Sequence, residues 1–348
     1  MALVLWTLIG LFGLVVVVLA ARTFLIIRRY SPPIRRIFEE DPIFMPAEGV
    51  QHPEAEEVEF NTPEGLTLRG SYLATEGGNS KGVVVFCHEF RSDRWSGMPY
   101  WEVLHKNGFD IFAFDFRNHG ESDKDPAYAP RHWVTNYELD DLAAALTYLR
   151  SRFGARELPI GLLGISRGGG TAIGVAVSNH SVRCLVTDGA FPTHSTMLAY
   201  MKKWMLLVVG ETWWMKILPS WYLALIRDVV LSRIGRDLGC HFCRLERCIR
   251  RLAPRPILMI HGGRDSYIRP DIARGFYECA SDPKELWIVQ GARHNACLET
   301  ASNEYRSRVL QFFHLHLAGE RAAAEREARP SAHSSAEPWS RARAAGGE

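Results

Sequence analysis

The sequence carries no excess of charge of either sign. Its 41 lysines and arginines stand against 39 aspartates and glutamates, a formal net charge of +2. That balance excludes the polycationic face of a nucleic-acid binder, so no nucleic-acid partner is expected. Cysteine is sparse and irregular, seven in 348 residues, at Cys87, Cys184, Cys240, Cys243, Cys248, Cys279 and Cys297. An odd number without regular spacing excludes a disulfide scaffold and reads as free thiols in a reducing compartment. Internal repeats are absent too. What remains, 47% hydrophobic and 23% charged residues, is the composition of a globular chain.

Residues 2–21 lack charge altogether, and Thr7 is their main polar side chain. Twenty residues at helical rise span roughly 30 Å, the thickness of a bilayer's hydrocarbon core. The run has no polar face, as a helix at the surface of a soluble core would. A cleaved signal peptide, with Val18-Leu19-Ala20 at its cleavage site, is the rival reading. Against it, no Lys or Arg precedes the run, which is long for a signal sequence. We read residues 2–21 as an uncleaved transmembrane helix. Arg22, Arg28, Arg29, Arg35 and Arg36 follow it, so the positive-inside rule places the rest of the chain in the cytoplasm.

Residues 22–54 read as a linker, with Ser31-Pro32-Pro33 and further prolines at Pro42, Pro46 and Pro53. From residue 55 to 318 the pattern is that of one α/β domain. Short strands are expected at 58–60 and 66–73, flanking the turn Asn61-Thr62-Pro63-Glu64-Gly65. Continuous apolar strands are expected at 82–87, 110–115, 160–163, 182–186, 257–260 and 286–289. Helical spacing separates several of them, at 95–106, 136–152 and after Ser166. Apolar runs alternating with helices predict a mostly parallel, doubly wound sheet of about eight strands, buried on both faces. About seventy residues separate the strands at 186 and 257, too many for a simple crossover, so a helical cap is expected over about 192–254. Residues 319–348, rich in Ala, Arg, Glu, Ser and Gly, read as a disordered tail.

The chemistry is carried by Gly164-Ile165-Ser166-Arg167-Gly168, which follows an apolar strand and opens a helix-like run. A G-x-S-x-G turn of this kind is tight. It tolerates no side chains at Gly164 and Gly168, and it holds the Ser166 hydroxyl out at the strand's end, near the free N–H groups of the helix. Two partners follow in order. Asp265 comes after the strand and turn ending Ile260-His261-Gly262-Gly263-Arg264, and His294 follows the last strand through Gln290-Gly291-Ala292-Arg293. In a nucleophile, acid and base set, Ser166 attacks, His294 takes its proton and Asp265 holds the imidazole. Asp188, in Thr187-Asp188-Gly189 after the preceding strand, is the alternative acid.

Taken with Phe86-Cys87-His88-Glu89-Phe90 and Asp115-Phe116-Arg117-Asn118-His119-Gly120-Glu121-Ser122, these motifs resemble the α/β-hydrolase superfamily, and within it the serine aminopeptidase-like and monoglyceride lipase-like group. The resemblance runs from about residue 58 to 317. It implies an α/β-hydrolase fold, and backbone oxyanion donors at Phe90 and Arg167. It implies structural roles for Asp115, Arg117, Gly120 and Ser122 beneath the site. It departs from the group at Glu89, where the group has glycine. A carboxylate near a forming oxyanion opposes the charge to be stabilised. Arg91, Arg94 and Arg167 are the candidates to neutralise it.

The expectation is therefore a membrane-held, lipase-like serine hydrolase cleaving a small-molecule or lipid-like carboxylic ester, without a cofactor. A peptidase, a thioesterase or a non-catalytic binding protein on the same fold are the alternatives, and the oligomeric state is left open. Cys240-His241-Phe242-Cys243 with Cys248 resembles a zinc-ligand cluster, but the spacing of a full four-ligand set is not evident, and no metal is assigned. Met197 to Ile226 holds Trp204, Trp213, Trp214 and Trp221. These tryptophans either pack on the domain, or form an apolar lid for acyl chains or the bilayer.

Overall fold

The structure, a computed structural model, describes residues 2–39, 49–154, 159–209 and 219–319. Its centre is one eight-stranded sheet: β1 (Glu56–Asn61), β2 (Thr67–Leu73), β3 (Val83–Cys87), β4 (Asp110–Phe114), β5 (Ile160–Ile165), β6 (Val182–Asp188), β7 (Ile257–Gly262) and β8 (Lys284–Val289). The spatial order is β1-β2-β4-β3-β5-β6-β7-β8. The first two strands join antiparallel, and β4 through β8 are parallel. The α/β-hydrolase architecture expected from the strand and helix order is the one present.

The apolar strands are buried on both faces because successive side chains feed different cores. Val83, Val85 and Cys87 belong to one cluster, while Val84 and Phe86 belong to the other. Helices α3 (Asn136–Phe153) and α4 (Arg167–Ala176) cover the first face with Leu142, Leu146, Leu149 and Ile173. On the second face, α2 (Met98–His105) contributes Tyr100, Trp101 and Leu104. The start of α3 is set by sequence: Thr135 accepts from the Tyr137 N–H, and Glu138 reaches back to the Thr135 N–H, a reciprocal cap.

Between β6 and β7 the chain forms α5 (Thr193–Val209), α6 (Ser220–Asp237) and α7 (Leu245–Arg250). Under them lies a third apolar cluster, with Trp133, Phe191, Met197, Met201, Ile226, Val230 and Ile268. The insertion returns to the domain where the Cys243 N–H donates to the Val134 carbonyl. Nearby, the Cys243 and Cys248 sulfurs are 3.8 Å apart. The side chain of Trp204, together with Trp213 and Trp214, lies outside the described residues, as does the tail beyond residue 319. The chain then completes both faces: α8 (Pro270–Cys279) precedes β8 and adds Phe276 to the first, and α9 (Cys297–Thr300) leads to α10 (Ser302–Phe313), which adds Tyr305, Val309 and Phe312 to the second.

The N-terminal segment departs from expectation. Helix α1 runs over Ala2–Glu39, so the linker expected from residue 22 is helical as far as Glu39. Proline in a helix interior costs about 3 kcal/mol, which is why Ser31-Pro32-Pro33 reads as a break. Packing against α6 supplies the compensation. Thr23 Oγ1 is 2.8 Å from the Tyr222 hydroxyl, Ile34 is buried in the third cluster, and Arg35 pairs with Asp237 at 3.1 Å. Over Ala2–Arg29 this helix is long and apolar enough to cross a membrane.

Loops at the ends of β3 and β4 are tied by buried charge. The Arg94 guanidinium pairs with Asp115, Glu121 and Glu57, and its Nε donates to Ser71. Arg117 pairs with Asp141, while Ser122 Oγ donates to the Asp115 carbonyl. Removing one partner of such a pair strands the other without solvation. Arg94→Ala is therefore expected to destabilise the protein by about 3–5 kcal/mol, as measured by urea unfolding of the full chain.

Candidate active site

Ser166 is the single residue between β5 and α4, at φ 51° and ψ −115°. A non-glycine residue at positive φ stores about 1–3 kcal/mol and persists only where its surroundings over-determine it. Here the Ser166 N–H donates to the Asp188 carbonyl at 2.7 Å, and its carbonyl accepts from the Gly170 N–H at 3.2 Å. The glycines explain the rest. A Cβ on Gly164 would lie 2.6 Å from the Gly168 carbonyl oxygen, and one on Gly168 would collide with the Cys87 carbonyl. The turn closes onto the β3 loop only because both side chains are absent.

The structure brings the three sequence-predicted residues together. Ser166 Oγ is 2.9 Å from His294 Nε2, and His294 Nδ1 is 2.6 Å from Asp265 Oδ2. A carboxylate only accepts, so Nδ1 donates to Asp265, and Nε2 is left to accept the serine proton. Asp265 is itself held: its Oδ1 accepts from the Tyr267 N–H at 2.9 Å and the Ile268 N–H at 2.7 Å. His261, at the end of β7, donates from Nε2 to the Ile268 carbonyl and so pins the far side of that turn. Burial holds the His261 imidazole below its ordinary range. Sequence reasoning gave His261 no role. Its place four residues before the acid was the available signal.

The two oxyanion candidates sit side by side. Cys87 and Gly164 are paired in the β3–β5 register, and Phe90 and Arg167 each come three residues later. The Arg167 N–H opens α4, where no intrahelical acceptor exists. The loop carrying Phe90 is braced by His88, whose Nδ1 donates to the Glu89 carbonyl at 2.7 Å and whose Nε2 accepts from the Phe116 N–H at 3.2 Å. Those roles require neutral imidazole, and burial with the nearby Arg167 charge pushes His88 down to about 3. Glu89 is buried, with the Ser96 hydroxyl 3.5 Å from its carboxylate. Arg94 and Arg167 are engaged elsewhere, Arg94 with Asp115 and Arg167 with Glu138.

The Arg167 side chain does more than the sequence indicated. It is buried, donates to the Arg131 carbonyl at 3.1 Å and to His119 Nε2 at 3.1 Å, and stacks against the Phe90 and Phe116 rings. One side chain thus ties the nucleophile's helix to both neighbouring loops. Apolar rings complete the surroundings: Tyr267 and Phe191 lie 5.2 and 6.3 Å from the His294 ring.

Comparison with known proteins agrees with this fold. Residues 82–221 match the family described as alpha/beta hydrolase fold. Thiohydrolase aneE of Aspergillus aculeatus is 38% identical over 283 residues, covering 70% of this chain and 87% of that protein. YfhR of Escherichia coli (strain K12) is 25% identical over 264 residues, 74% of this chain and 80% of that one. Among solved structures, the Pyrococcus furiosus esterase Pf2001 superposes with a TM-score of 0.57 at 23% identity, covering 80% of this chain and 98% of the esterase. That last likeness is one of fold.

Asp188 does not occupy the acid's place, because Asp265 holds His294 Nδ1. Its backbone carbonyl steadies Ser166, while its carboxyl is fully buried. Burial pushes that carboxyl up to about 6, against the opposing effect of Cys297, His294 and Tyr305. The linked cost is absent at pH values below the unfolded-state pKa near 4, where the group is protonated in both states. It is complete above about 6, where the folded protein carries a buried charge. Asp188→Asn should therefore gain stability relative to the parent as pH rises from 4 to 8, by up to about 3 kcal/mol. Unfolding midpoints of both proteins across that pH range check this, and a constant difference would contradict it.

Proposed function

Since the chain belongs to the α/β-hydrolase fold family, we propose that it is a serine hydrolase that cleaves a carboxylic ester through an acyl-enzyme. The observation that carries this reading is the unbroken hydrogen-bonded series from Ser166 through His294 to Asp265. In the proposed reaction His294 Nε2 takes the hydroxyl proton as Ser166 Oγ attacks the carbonyl carbon. The oxyanion so formed faces the N–H groups of Phe90 and Arg167. His294 then gives its proton to the leaving alcohol. A water, deprotonated by the same nitrogen, releases the acid. Asp265 keeps Nδ1 protonated and balances the imidazolium.

The acyl side is proposed to be apolar. Phe191 and Tyr267 face His294, and Trp133, Met197 and Ile268 continue the same apolar surface beneath the inserted helices. A thioester is the second reading, favoured by the identity to a thiohydrolase over most of that protein's length. We also propose that α1 is a single-pass membrane anchor with the domain on the cytoplasmic side. Its charge-free run over 2–21 is exposed, and arginines follow that run at its C-terminal end. The partners on this reading are the bilayer and a lipid-like ester or other small-molecule ester, with no nucleic acid.

A fluorophosphonate probe should label the full chain and fail to label Ser166→Ala, whose turnover should fall by roughly 10⁶. Probe labelling that survives the substitution would remove Ser166 as the nucleophile. Asp265→Asn should lower kcat by about 10⁴ with the fold retained, and Asp188→Asn should leave kcat within a small factor of the parent.

Acyl preference is checked with p-nitrophenyl esters of increasing chain length, set against thioesters of the same acids. The expectation is a rise in kcat/KM with length, each buried methylene contributing up to about 0.8 kcal/mol. A flat profile would exclude the apolar acyl site. A uniform preference for the thioesters would select the second reading.

A further inference from the structure

Helices α1 and α6 lie side by side in a defined register. Thr23 meets Tyr222 near the start of α6, and Arg35 meets Asp237 at its end, so the two helices run parallel. Between those contacts α1 advances roughly 18 Å and α6 roughly 22 Å at helical rise. The charge-free run of α1 ends at Ala21, and Thr23 lies about 3 Å beyond it, next to Arg22. The start of α6 is therefore level with the end of the charge-free run, and its last turn is level with the later arginines.

The exposed side chains of α6 are graded in the same direction. Trp221, Leu225 and Val229 recur every four residues along one stripe and are 67%, 49% and 41% exposed. Beyond them, the exposed residues are Ser232, Arg233, Arg236 and Asp237. Single exposed apolar residues need no explanation. A stripe that changes from apolar to charged, in step with the helix beside it, does. The opposite side of α6 is already occupied, since Leu223, Ile226, Val230 and Ile234 are buried.

We propose that the N-terminal half of α6 is seated in the interfacial layer of the bilayer alongside α1, with Trp221 and Leu225 at the acyl boundary and Arg233 and Arg236 in water. This rests on reading α1 as a membrane anchor. Trp and Tyr favour that depth because each presents an apolar ring with a polar edge. The anchor holds the helix at the surface, so the stripe needs little affinity of its own. The same cap carries Met197 and Phe191 on its inner side, so apolar side chains run from the lipid-seated helix to within 6.3 Å of the His294 ring.

The test places a fluorescent coumarin amino acid singly at Leu11, Trp221, Leu225 and Arg233 of the full chain, in phosphatidylcholine nanodiscs with or without brominated acyl chains. Circular dichroism melts check that each variant is folded. Quenching by bromine is expected at Leu11, Trp221 and Leu225, and none at Arg233. Loss of quenching at Leu11 would overturn the anchor itself. Quenching at Leu11 but not at Trp221 or Leu225 would leave the anchor standing and overturn the seating of α6. Quenching at Arg233 equal to that at Trp221 would overturn it as well, since the graded stripe would then not set the depth.

Discussion

Everything at the candidate site depends on one strained turn. Ser166 holds a positive φ between β5 and α4 because the chain on either side leaves it no alternative. Gly168 packs on the Cys87 backbone, Gly164 packs on Gly168, and the Asp188 carbonyl captures the serine N–H. The strain fixes the direction of the hydroxyl, and it brings the opening N–H of α4 beside the loop after β3. Three consecutive parallel strands, β3, β5 and β6, each supply one wall of that turn. The sheet order, rather than any local preference of the five-residue motif, therefore makes the geometry possible.

Around the turn, buried arginines do the work of positioning. Arg94 and Arg117 each tie a loop at the strand ends to a buried carboxylate, and Arg167 ties the start of α4 to Glu138 on α3. Arginine suits this use because its planar fork can satisfy several acceptors at once in a place that water cannot reach. Burial and the nearby Arg167 charge keep His88 and His119 neutral, so they serve as fixed hydrogen-bonding struts. His88 and His119 each present one donor and one acceptor with settled roles. His294, by contrast, faces both a hydroxyl and a carboxylate, which is the setting a proton carrier requires.

The inserted helices and the N-terminal helix form one packed unit over the site. Ile34 is buried with the side chains of α6, and the same cluster includes Phe191 beside His294. A helix that would end at its prolines in isolation is carried through them by this packing. The region that covers the site is thereby coupled directly to the segment read as its membrane anchor.

Much of this was legible in the chain itself. Six of the eight strands could be located because buried strands leave largely uninterrupted apolar runs, and β1 and β2 because they flank the turn at residues 61–65. Ser166, Asp265 and His294 could be named as candidates because a tight elbow demands glycines at fixed offsets, and because the partners must sit on loops after later strands. The charge-free N-terminal run announced itself by length alone. Tertiary structure decided the rest. Asp188 and Asp265 both follow strands, and the triad order permits either as the acid; the placement of the His294 loop puts the Asp265 carboxylate on Nδ1. The helix through Ser31-Pro32-Pro33 and the clamp made by the Arg167 side chain were likewise beyond local reading. Each depends on partners many residues away, and the contacts that outweigh or exploit a local preference exist only once the sheet has brought those segments together.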